Sequence, residues 1–182
     1  MEVLDMREED HLLEGLESLM KYVNPGSTFL EIGSYAGQSA EIFLKSEKVE
    51  TLFCVDAWTN GYDDKDGASS SDMILVEKAF DSRMEPFDNM TKIKGWSYDV
   101  VSQFDDESLD VVYIDGTHTY DGVKRDIELY LPKVKKEGLI CGHDYNTSPW
   151  EEVTEAIIEV LGKPHVKFAD GSWLIFKKRL ES

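Results

Sequence analysis

A glycine turn between an apolar run and a helix-like segment constrains the fold of this chain more than any other feature. The run Phe29–Ile32 ends at Gly33, Gly37 follows four residues later, and residues 40–44 place apolar side chains at helical spacing. This order predicts a strand, a tight turn and a helix, with glycines where a ligand or another backbone approaches closely. In an open α/β sheet, the turn after the first strand is where mononucleotide-like ligands bind. The alternative is a turn that only packs the helix onto the strand.

The glycine spacing of this turn does not fit a dinucleotide site. Such sites carry G-x-G-x-x-G and hold the pyrophosphate at the helix N-terminus. This chain instead has G-x-x-x-G, with Glu31 two residues before the first glycine. A carboxylate there suits a ligand with an ammonium or sulfonium group better than one with phosphates. The segment Glu31–Gly37 resembles the first motif of the class I S-adenosylmethionine (SAM) methyltransferases.

Charge and composition narrow the class of protein. The 182 residues, with 41% hydrophobic and 11% aromatic residues, suit one globular domain. The formal net charge of −18 repels phosphate backbones and anionic lipid, so we expect neither nucleic acid nor a membrane as partner. The apolar runs are only strand-sized, and the acidic start contains no basic segment followed by an apolar one. These features predict a cytoplasmic protein without a secretory signal.

Two cysteines, Cys54 and Cys141, lie inside separate strand-like apolar runs. Buried free thiols are the expectation for a reducing compartment. The sequence leaves open a disulfide between them.

Hydrophobic periodicity predicts five alternations of strand and helix before a terminal hairpin, which indicates a doubly wound sheet. The last helix is predicted to start with Ser148 as its N-cap and Pro149 in its first turn. The predicted strands are 29–32, 50–56, 90–94, 109–115, a run from Gly138, 166–168 and 173–176. The predicted helices are 8–23, a run from Ala40, 73–84, a short one near 100–104, 123–131 and a run after Ser148.

Two segments lie outside this alternation. Residues 1–24 form a predicted N-terminal helical segment that covers the sheet or pairs with another copy in a homo-oligomer. Residues 59–72 are polar, contain glycine and show no periodicity, so we predict a mobile lid over the substrate. The acids Asp63, Asp64 and Asp66 within it lack the spacing of a calcium loop, and a solvated acidic loop is expected instead.

Polar residues follow two further predicted strands. Asp115 and His118 follow the strand 109–115, and His143 and Asp144 follow the run from Gly138. The carboxyl ends of parallel strands share one rim of an open sheet, so these four side chains are expected to converge beside the glycine turn. Two carboxylates and two imidazoles there make either an acid/base site or a site for a hard cation such as Mg²⁺.

The same segments carry a more selective resemblance. Four segments resemble the family-24 SAM methyltransferases, which are similar to macrocin-type sugar O-methyltransferases and cephalosporin-hydroxylase-like proteins. They are Ile114-Asp-Gly-Thr-His-Thr-Tyr120, Val123-Lys-Arg-Asp126-Ile127, Leu131-Pro132 and Gly138-Leu-Ile-Cys-Gly-His-Asp-Tyr145. The resemblance covers residues 29–145. It implies a single SAM-dependent methyltransferase domain over residues 1–182. It also implies an α/β, Rossmann-like, seven-stranded sheet of strand order 3-2-1-4-5-7-6 with an antiparallel terminal hairpin.

The resemblance also implies roles for individual residues. Asp115 and Asp144 correspond to acids that bind a divalent cation in metal-using relatives, although His143 stands where those relatives often have an acid. His118 corresponds to a catalytic base, and Asp115 and His143 complete the predicted catalytic set. Asp56, which ends the second strand, is expected to bind ribose, and the turn at Gly95 is expected to lie beside adenine. The predicted SAM-binding residues are Glu31, Gly33, Ser34, Tyr35, Gly37, Gln38, Ser39, Asp56, Ala57, Trp58, Gly95, Trp96, Ser97 and Asp115.

The expected reaction is methyl transfer from SAM to a hydroxyl of a small molecule or sugar, with Mg²⁺ assistance as an option. Two alternatives remain open at this point. One is a nucleotide-dependent oxidoreductase or hydroxylase-like relative that uses the same crevice, although the missing G-x-G-x-x-G counts against NAD. The other is a SAM-binding accessory module without catalysis.

Overall fold

The computed structural model of the protein describes residues 10–180, with side chains from residue 14 onwards. Within this range the strands form one seven-stranded sheet of order β3-β2-β1-β4-β5-β7-β6, which confirms the predicted Rossmann-like topology. Strands β1 to β5 are parallel to one another, and β7 is antiparallel to both β5 and β6. The strands are β1 Ser27–Ile32, β2 Val49–Asp56, β3 Met90–Lys94, β4 Leu109–Ile114, β5 Val134–Gly142, β6 Val166–Lys167 and β7 Trp173–Phe176.

Helices cover both faces of the sheet, as a doubly wound fold requires. Successive side chains of a strand point to opposite faces, so Phe29 packs into one apolar cluster and Leu30 into the other. Central parallel strands are therefore apolar on both faces and read as continuous hydrophobic runs. The α-helices of the described residues are α1 Asp10–Met20, α2 Gln38–Lys45, α3 Met73–Met84, α4 Ser97–Val100, α5 Tyr120–Tyr130 and α6 Glu151–Leu161.

The strand register places the predicted site residues on one edge. Ile32 at the end of β1 is paired with Val55 on one side and Ile114 on the other, and Ile114 is paired with Gly142. The residues that follow these positions are Gly33, Asp56, Asp115 and His143, which are therefore neighbours across the sheet. The convergence expected from the sequence is confirmed.

Several element boundaries differ from the sequence-based expectations. Helix α1 ends at Met20, although Val23 is still buried, and its predicted start at residue 8 lies outside the described residues. Strand β5 begins at Val134, ahead of the predicted run from Gly138, and a register shift against β4 accommodates the extra residues.

The predicted N-cap of the last helix is wrong. Helix α6 begins at Glu151, with Trp150 at its N-cap position. The Trp150 side chain makes no capping hydrogen bond to the helix. Ser148 and Pro149 precede this position and are joined by a cis peptide bond. The backbone of Trp150, with φ −98° and ψ 41°, has not yet entered the helical conformation. Its ring stacks on His118, so Trp150 belongs to the site rather than to the helix.

The two cysteines are free and buried. Cys54 lies on β2 and Cys141 on β5, and β1 and β4 separate these strands. Three steps of about 4.8 Å keep the two backbones about 14 Å apart, well beyond disulfide reach. Burial raises the pKa of the Cys54 thiol, and it raises that of Cys141 as well.

A search of the described residues finds no helix that combines the length and the apolar character needed to span a membrane.

Candidate active site

The glycine turn after β1 is tight because the backbone of another strand end lies against it. Gly33 has φ +87°, and a Cβ there would lie 2.0 Å from the carbonyl oxygen of Asp115. Gly37 has φ +81° and occupies the N-cap position of α2. Only glycine combines a left-handed backbone with this closeness at position 33.

Glu31 lies beneath this turn and not on a cavity wall. Its side chain is fully buried and accepts hydrogen bonds from the Ser34 hydroxyl, at 2.6 Å, and from the Ser39 hydroxyl. These bonds tie the turn to the first turn of α2. The direct contact with a cationic ligand expected of Glu31 is therefore replaced by a supporting role beneath the ligand site.

A first cleft opens beside the ends of β1, β2 and β3. It is open to solvent and offers about 610 Å³ of space when its mouth is included. Of the predicted SAM-binding residues, those after β2 and β3 lie here, including Ala57, Gly95, Trp96 and Ser97. The cleft is lined by Ile32, Gly33, Tyr35, Val55, Asp56, Ala57, Thr59, Tyr62, Met73, Gly95, Trp96, Ser97, Asp115, Gly116, Thr117, Arg125 and Asp126.

Asp56 is fixed at the wall of this first cleft by backbone donors. Tyr35 N–H donates to Oδ2 at 2.8 Å, and Trp58 N–H donates to Oδ1 at 2.7 Å. Burial raises the pKa of Asp56, and the two hydrogen bonds lower it. Burial is the larger effect, so the pKa is raised overall. The indole of Trp58 is itself buried, donates to the Tyr35 carbonyl and packs against Phe80, and Trp58 does not line the cleft.

A second cleft continues from the first. The two share Gly33, Tyr35, Tyr62, Asp115 and Gly116, so they are two parts of one crevice. The second encloses about 940 Å³ including its mouth. It is lined by Gly33, Ser34, Tyr35, Ala36, Gln38, Ser39, Tyr62, Asp66, Ala68, Asp115, Gly116, His118, His143, Asp144 and Trp150.

Asp115, His118 and Asp144 form a cluster in the second cleft. Each offers one ligand atom, and these atoms lie within 4.8 Å of one another. His118 Nε2 lies 3.1 Å from Asp144 Oδ2, and His143 Nδ1 lies 3.2 Å from Asp144 Oδ1. Burial by itself raises the pKa of Asp144, but the two imidazoles outweigh it and hold the pKa well below its usual range.

His118 is enclosed from three sides. Its ring stacks on Trp150 with 4.1 Å between centroids, and its Nδ1 lies 3.6 Å from Asp66 Oδ2 and 3.9 Å from Asp63 Oδ2. Burial lowers the pKa of His118, but the hydrogen bond and charge of Asp144, with the charges of Asp115 and Asp66, outweigh it and raise the pKa overall. Asp144 therefore holds the imidazole through Nε2, whereas Nδ1 is buried, has no hydrogen-bond partner among the described residues and faces two carboxylates.

The segment 59–72 covers this histidine, and the expectation of a solvated acidic loop is wrong for two of its three acids. Asp63 and Asp66 are buried, and only Asp64 is exposed. The Asp66 carboxylate caps a short 3₁₀ helix, Gly67–Ser70, through Ala68 N–H and also accepts the Tyr62 hydroxyl. Lys65 forms an ion pair with Glu152 of α6. Segment 59–72 thus packs beside the second cleft, and Tyr62, Asp66 and Ala68 form part of its lining.

The structure brings most of the predicted site residues to the crevice. Exceptions are Glu31, Gly37 and Trp58, which support the turn or the core and do not line either cleft. The structure adds Trp150, Asp66 and Asp126, which the sequence reasoning missed. For Asp126 a signal was present: it falls between Val123, Ile127 and Tyr130 on the buried face of α5, where an acid is unexpected.

Comparison with known proteins places the chain among methyltransferase domains. A family model described as "Methyltransferase domain" matches residues 30–145, which is more than half of the chain. A mimivirus protein, R132 from Acanthamoeba polyphaga mimivirus, is 25% identical over 156 residues, 83% of this chain and 66% of R132. Protein y4gI of Sinorhizobium fredii is 24% identical over 119 residues, 63% of this chain and 13% of y4gI. The chain thus spans less than two thirds of the length of either relative.

Solved structures share the fold at low identity. CalS11, titled a calicheamicin methyltransferase, superposes with a TM-score of 0.66 at 16% identity, covering 91% of this chain and 77% of CalS11. An apo structure of CalS11 describes this protein as a TDP-rhamnose 3'-O-methyltransferase. A protein from Corynebacterium glutamicum gives a TM-score of 0.64 at 14% identity, covering 96% of this chain and 83% of that protein.

Proposed function

Because the chain belongs to the methyltransferase domain family, we propose that it transfers a methyl group from SAM to a hydroxyl of a small molecule or sugar. The observation that carries this proposal is the single crevice in which a glycine-lined cleft continues into a cleft holding His118, Asp115 and Asp144. One part has the features of a nucleoside site, and the other has the groups of acid/base chemistry.

In this proposal the first cleft holds the adenosyl part of SAM. Apolar residues such as Ile32 and Val55 form walls for a flat ring, and Asp56 stands at the end of β2. Its two oxygens each accept one backbone N–H and keep a further lone pair for ribose hydroxyls. The methionyl part extends past Gly33 into the second cleft. When bound there, SAM supplies an electrophilic methyl group on a sulfonium sulfur.

His118 is the proposed general base. SAM held in the crevice would supply the methyl group that the acceptor oxygen takes, and His118 would receive the proton that the acceptor hydroxyl loses. A raised pKa makes the imidazole a stronger base. Stacking on Trp150 and the flanking carboxylates fix the ring, and alignment of this kind supplies much of the acceleration in a transfer between two bound molecules.

Asp115 and Asp144 would hold a divalent cation. The residues present fit such a cation because two carboxylates and one imidazole each offer a ligand atom. These three atoms lie within 4.8 Å of one another. The lowered pKa of Asp144 keeps this carboxylate anionic, as a hard cation requires. A cation bound there would lower the pKa of the acceptor hydroxyl.

A sugar or another polyhydroxyl acceptor is supported by the size and polarity of the second cleft and by the folded lid above it. CalS11, a TDP-rhamnose 3'-O-methyltransferase, shares this fold, and this likeness supports a sugar acceptor.

The test follows labelled methyl from SAM into a panel of sugar and phenolic hydroxyl compounds. On any acceptor that the wild type methylates, we expect His118→Ala to lower kcat by about 10²- to 10⁴-fold, the usual contribution of a general base. The control is His165→Ala. His165 is exposed, precedes β6 and lines neither cleft, so this variant should retain wild-type kcat. Equal kcat in wild type and His118→Ala would disprove the assigned base.

A further inference from the structure

Asp63 is a buried acid that the proposed chemistry does not use. It belongs to segment 59–72, its side chain is only 2% exposed, and it lines neither cleft. A buried carboxylate loses its hydration, so an acid at such a position requires hydrogen-bond donors from the protein. The donors around Asp63 therefore indicate what this residue holds in place.

The donors come from the segment itself and from the turn that carries His118. Lys65 N–H donates to Asp63 Oδ1 at 2.9 Å, which forms a local turn within the segment. His118 N–H, 55 positions after Asp63 in the chain, donates to Oδ2 at 3.3 Å. The same oxygen lies 3.9 Å from Nδ1 of the His118 ring. One carboxylate oxygen therefore lies beside both the backbone and the ring of the proposed base.

A second link joins segment 59–72 to the same turn, which connects β4 to α5. Tyr120 N–H, at the start of α5, donates to Glu152 Oε2 at 2.9 Å, and Glu152 Oε1 pairs with Lys65. Lys65 is exposed, so this ion pair contributes little to stability. The hydrogen bond to Asp63 has a buried, charged acceptor, and bonds of this kind are stronger. Asp63 is therefore the main link between the segment and the turn.

We propose that Asp63 is a positioning residue that places the His118 imidazole when segment 59–72 packs against this turn. This inference rests on the proposed function, because it takes His118 as the general base. The hydrogen bond to the His118 backbone fixes the point from which the side chain extends, and stacking on Trp150 fixes the plane of the ring. A general base is effective only within hydrogen-bond reach of the proton that it removes.

In this proposal, closure of the segment and assembly of the base are one event. When segment 59–72 moves away, Asp63 moves with it, and the turn loses the acceptor of the His118 N–H. Proton removal is then confined to the state in which the segment covers the acceptor, as in enzymes whose closure completes the catalytic site. The backbone N–H needs an acceptor and not a charge, so an amide oxygen in the same place can replace the carboxylate oxygen.

The test measures methyl transfer from SAM to an acceptor that the wild type methylates. Asp63→Ala should lower kcat by about 10- to 100-fold, because displacing a catalytic group by about 1 Å has an effect of this size. The dissociation constant of S-adenosylhomocysteine in titration calorimetry should stay unchanged, since Asp63 lines neither cleft. Asp63→Asn keeps an oxygen acceptor and should recover most of the lost kcat. Asp64→Ala, at an exposed neighbour, is the matched control and should retain wild-type kcat.

The outcomes separate this inference from the proposed function. Equal kcat in the wild type and Asp63→Ala would overturn the positioning role, and so would an Asp63→Asn variant as slow as Asp63→Ala. A parallel loss of affinity for S-adenosylhomocysteine would indicate a general disturbance of the crevice and would also overturn it. Failure of the wild type to methylate any acceptor would instead overturn the proposed function, and this inference with it.

Hydrogen exchange gives a readout that needs neither turnover nor a folded Asp63→Ala variant. In wild-type protein with isotope-labelled histidine, the His118 amide should exchange slowly, because it is hydrogen-bonded to a buried carboxylate. In Asp63→Ala it should exchange faster, whereas the His165 amide, which donates to the Leu174 carbonyl, should keep its rate. An unprotected His118 amide in the wild type, or equal protection in both proteins, would overturn the proposal.

Discussion

At the scale of single residues, acids in this crevice differ in role because they differ in environment. Glu31 is buried and has two serine hydroxyl donors, and it organises the turn. Asp144 is held anionic by two imidazoles, whereas Asp126 has one hydroxyl donor and a desolvated setting. The nearest charges and donors therefore set the protonation state of each carboxyl group and the contacts that it can make.

The raised pKa of Asp126 has a consequence for stability. The native carboxyl group keeps its proton up to a pH of about 6, whereas the unfolded chain releases it near a pH of about 3.9. Between these values the native state binds more protons than the unfolded state, so stability falls as pH rises. Relative to Asp126→Asn, the wild type should lose up to about 3 kcal/mol of unfolding free energy across this window. Urea unfolding at a series of pH values measures this difference, and parallel curves for the two proteins would contradict it.

At the scale of elements, the position of segment 59–72, the predicted lid, can be tested directly. Asp66 both caps the 3₁₀ helix within it and faces His118, so a single carboxylate joins lid folding to the site. Exposed ion pairs such as Lys65 with Glu152 contribute little by comparison.

We expect Asp66→Asn to favour the open lid. Weakening hydrogen bonds to a charged group by about 1 kcal/mol or more should raise the open population by about fivefold or more. Limited proteolysis within residues 59–72 reports that population when opening is faster than cleavage. Asp64→Asn, which changes an exposed neighbour, should be cut at the wild-type rate. Identical cleavage rates for the two variants would show that Asp66 does not hold the lid.

At the scale of the whole molecule, apolar periodicity made the alternation of strands and helices predictable, and parallel strand geometry made the shared rim predictable. The strand order came from the resemblance to the family-24 methyltransferases. The register at Ile32, Val55 and Ile114 then brings the predicted acids together without further information. Contacts between distant segments were not predictable in the same way. The packing of Trp150 on His118 moves the start of α6, and the burial of Asp63 and Asp66 depends on where the lid lies. Such features are set by tertiary packing, which local sequence patterns do not encode.

Titration calorimetry with S-adenosylhomocysteine tests the central claim most directly, since every proposed role assumes that this crevice accepts the adenosyl and homocysteine moieties. We predict one binding site per chain with a dissociation constant between about 1 μM and 1 mM, the range usual for enzyme substrates. NADH titrated in parallel should give no binding. Binding of NADH without binding of S-adenosylhomocysteine would contradict the account.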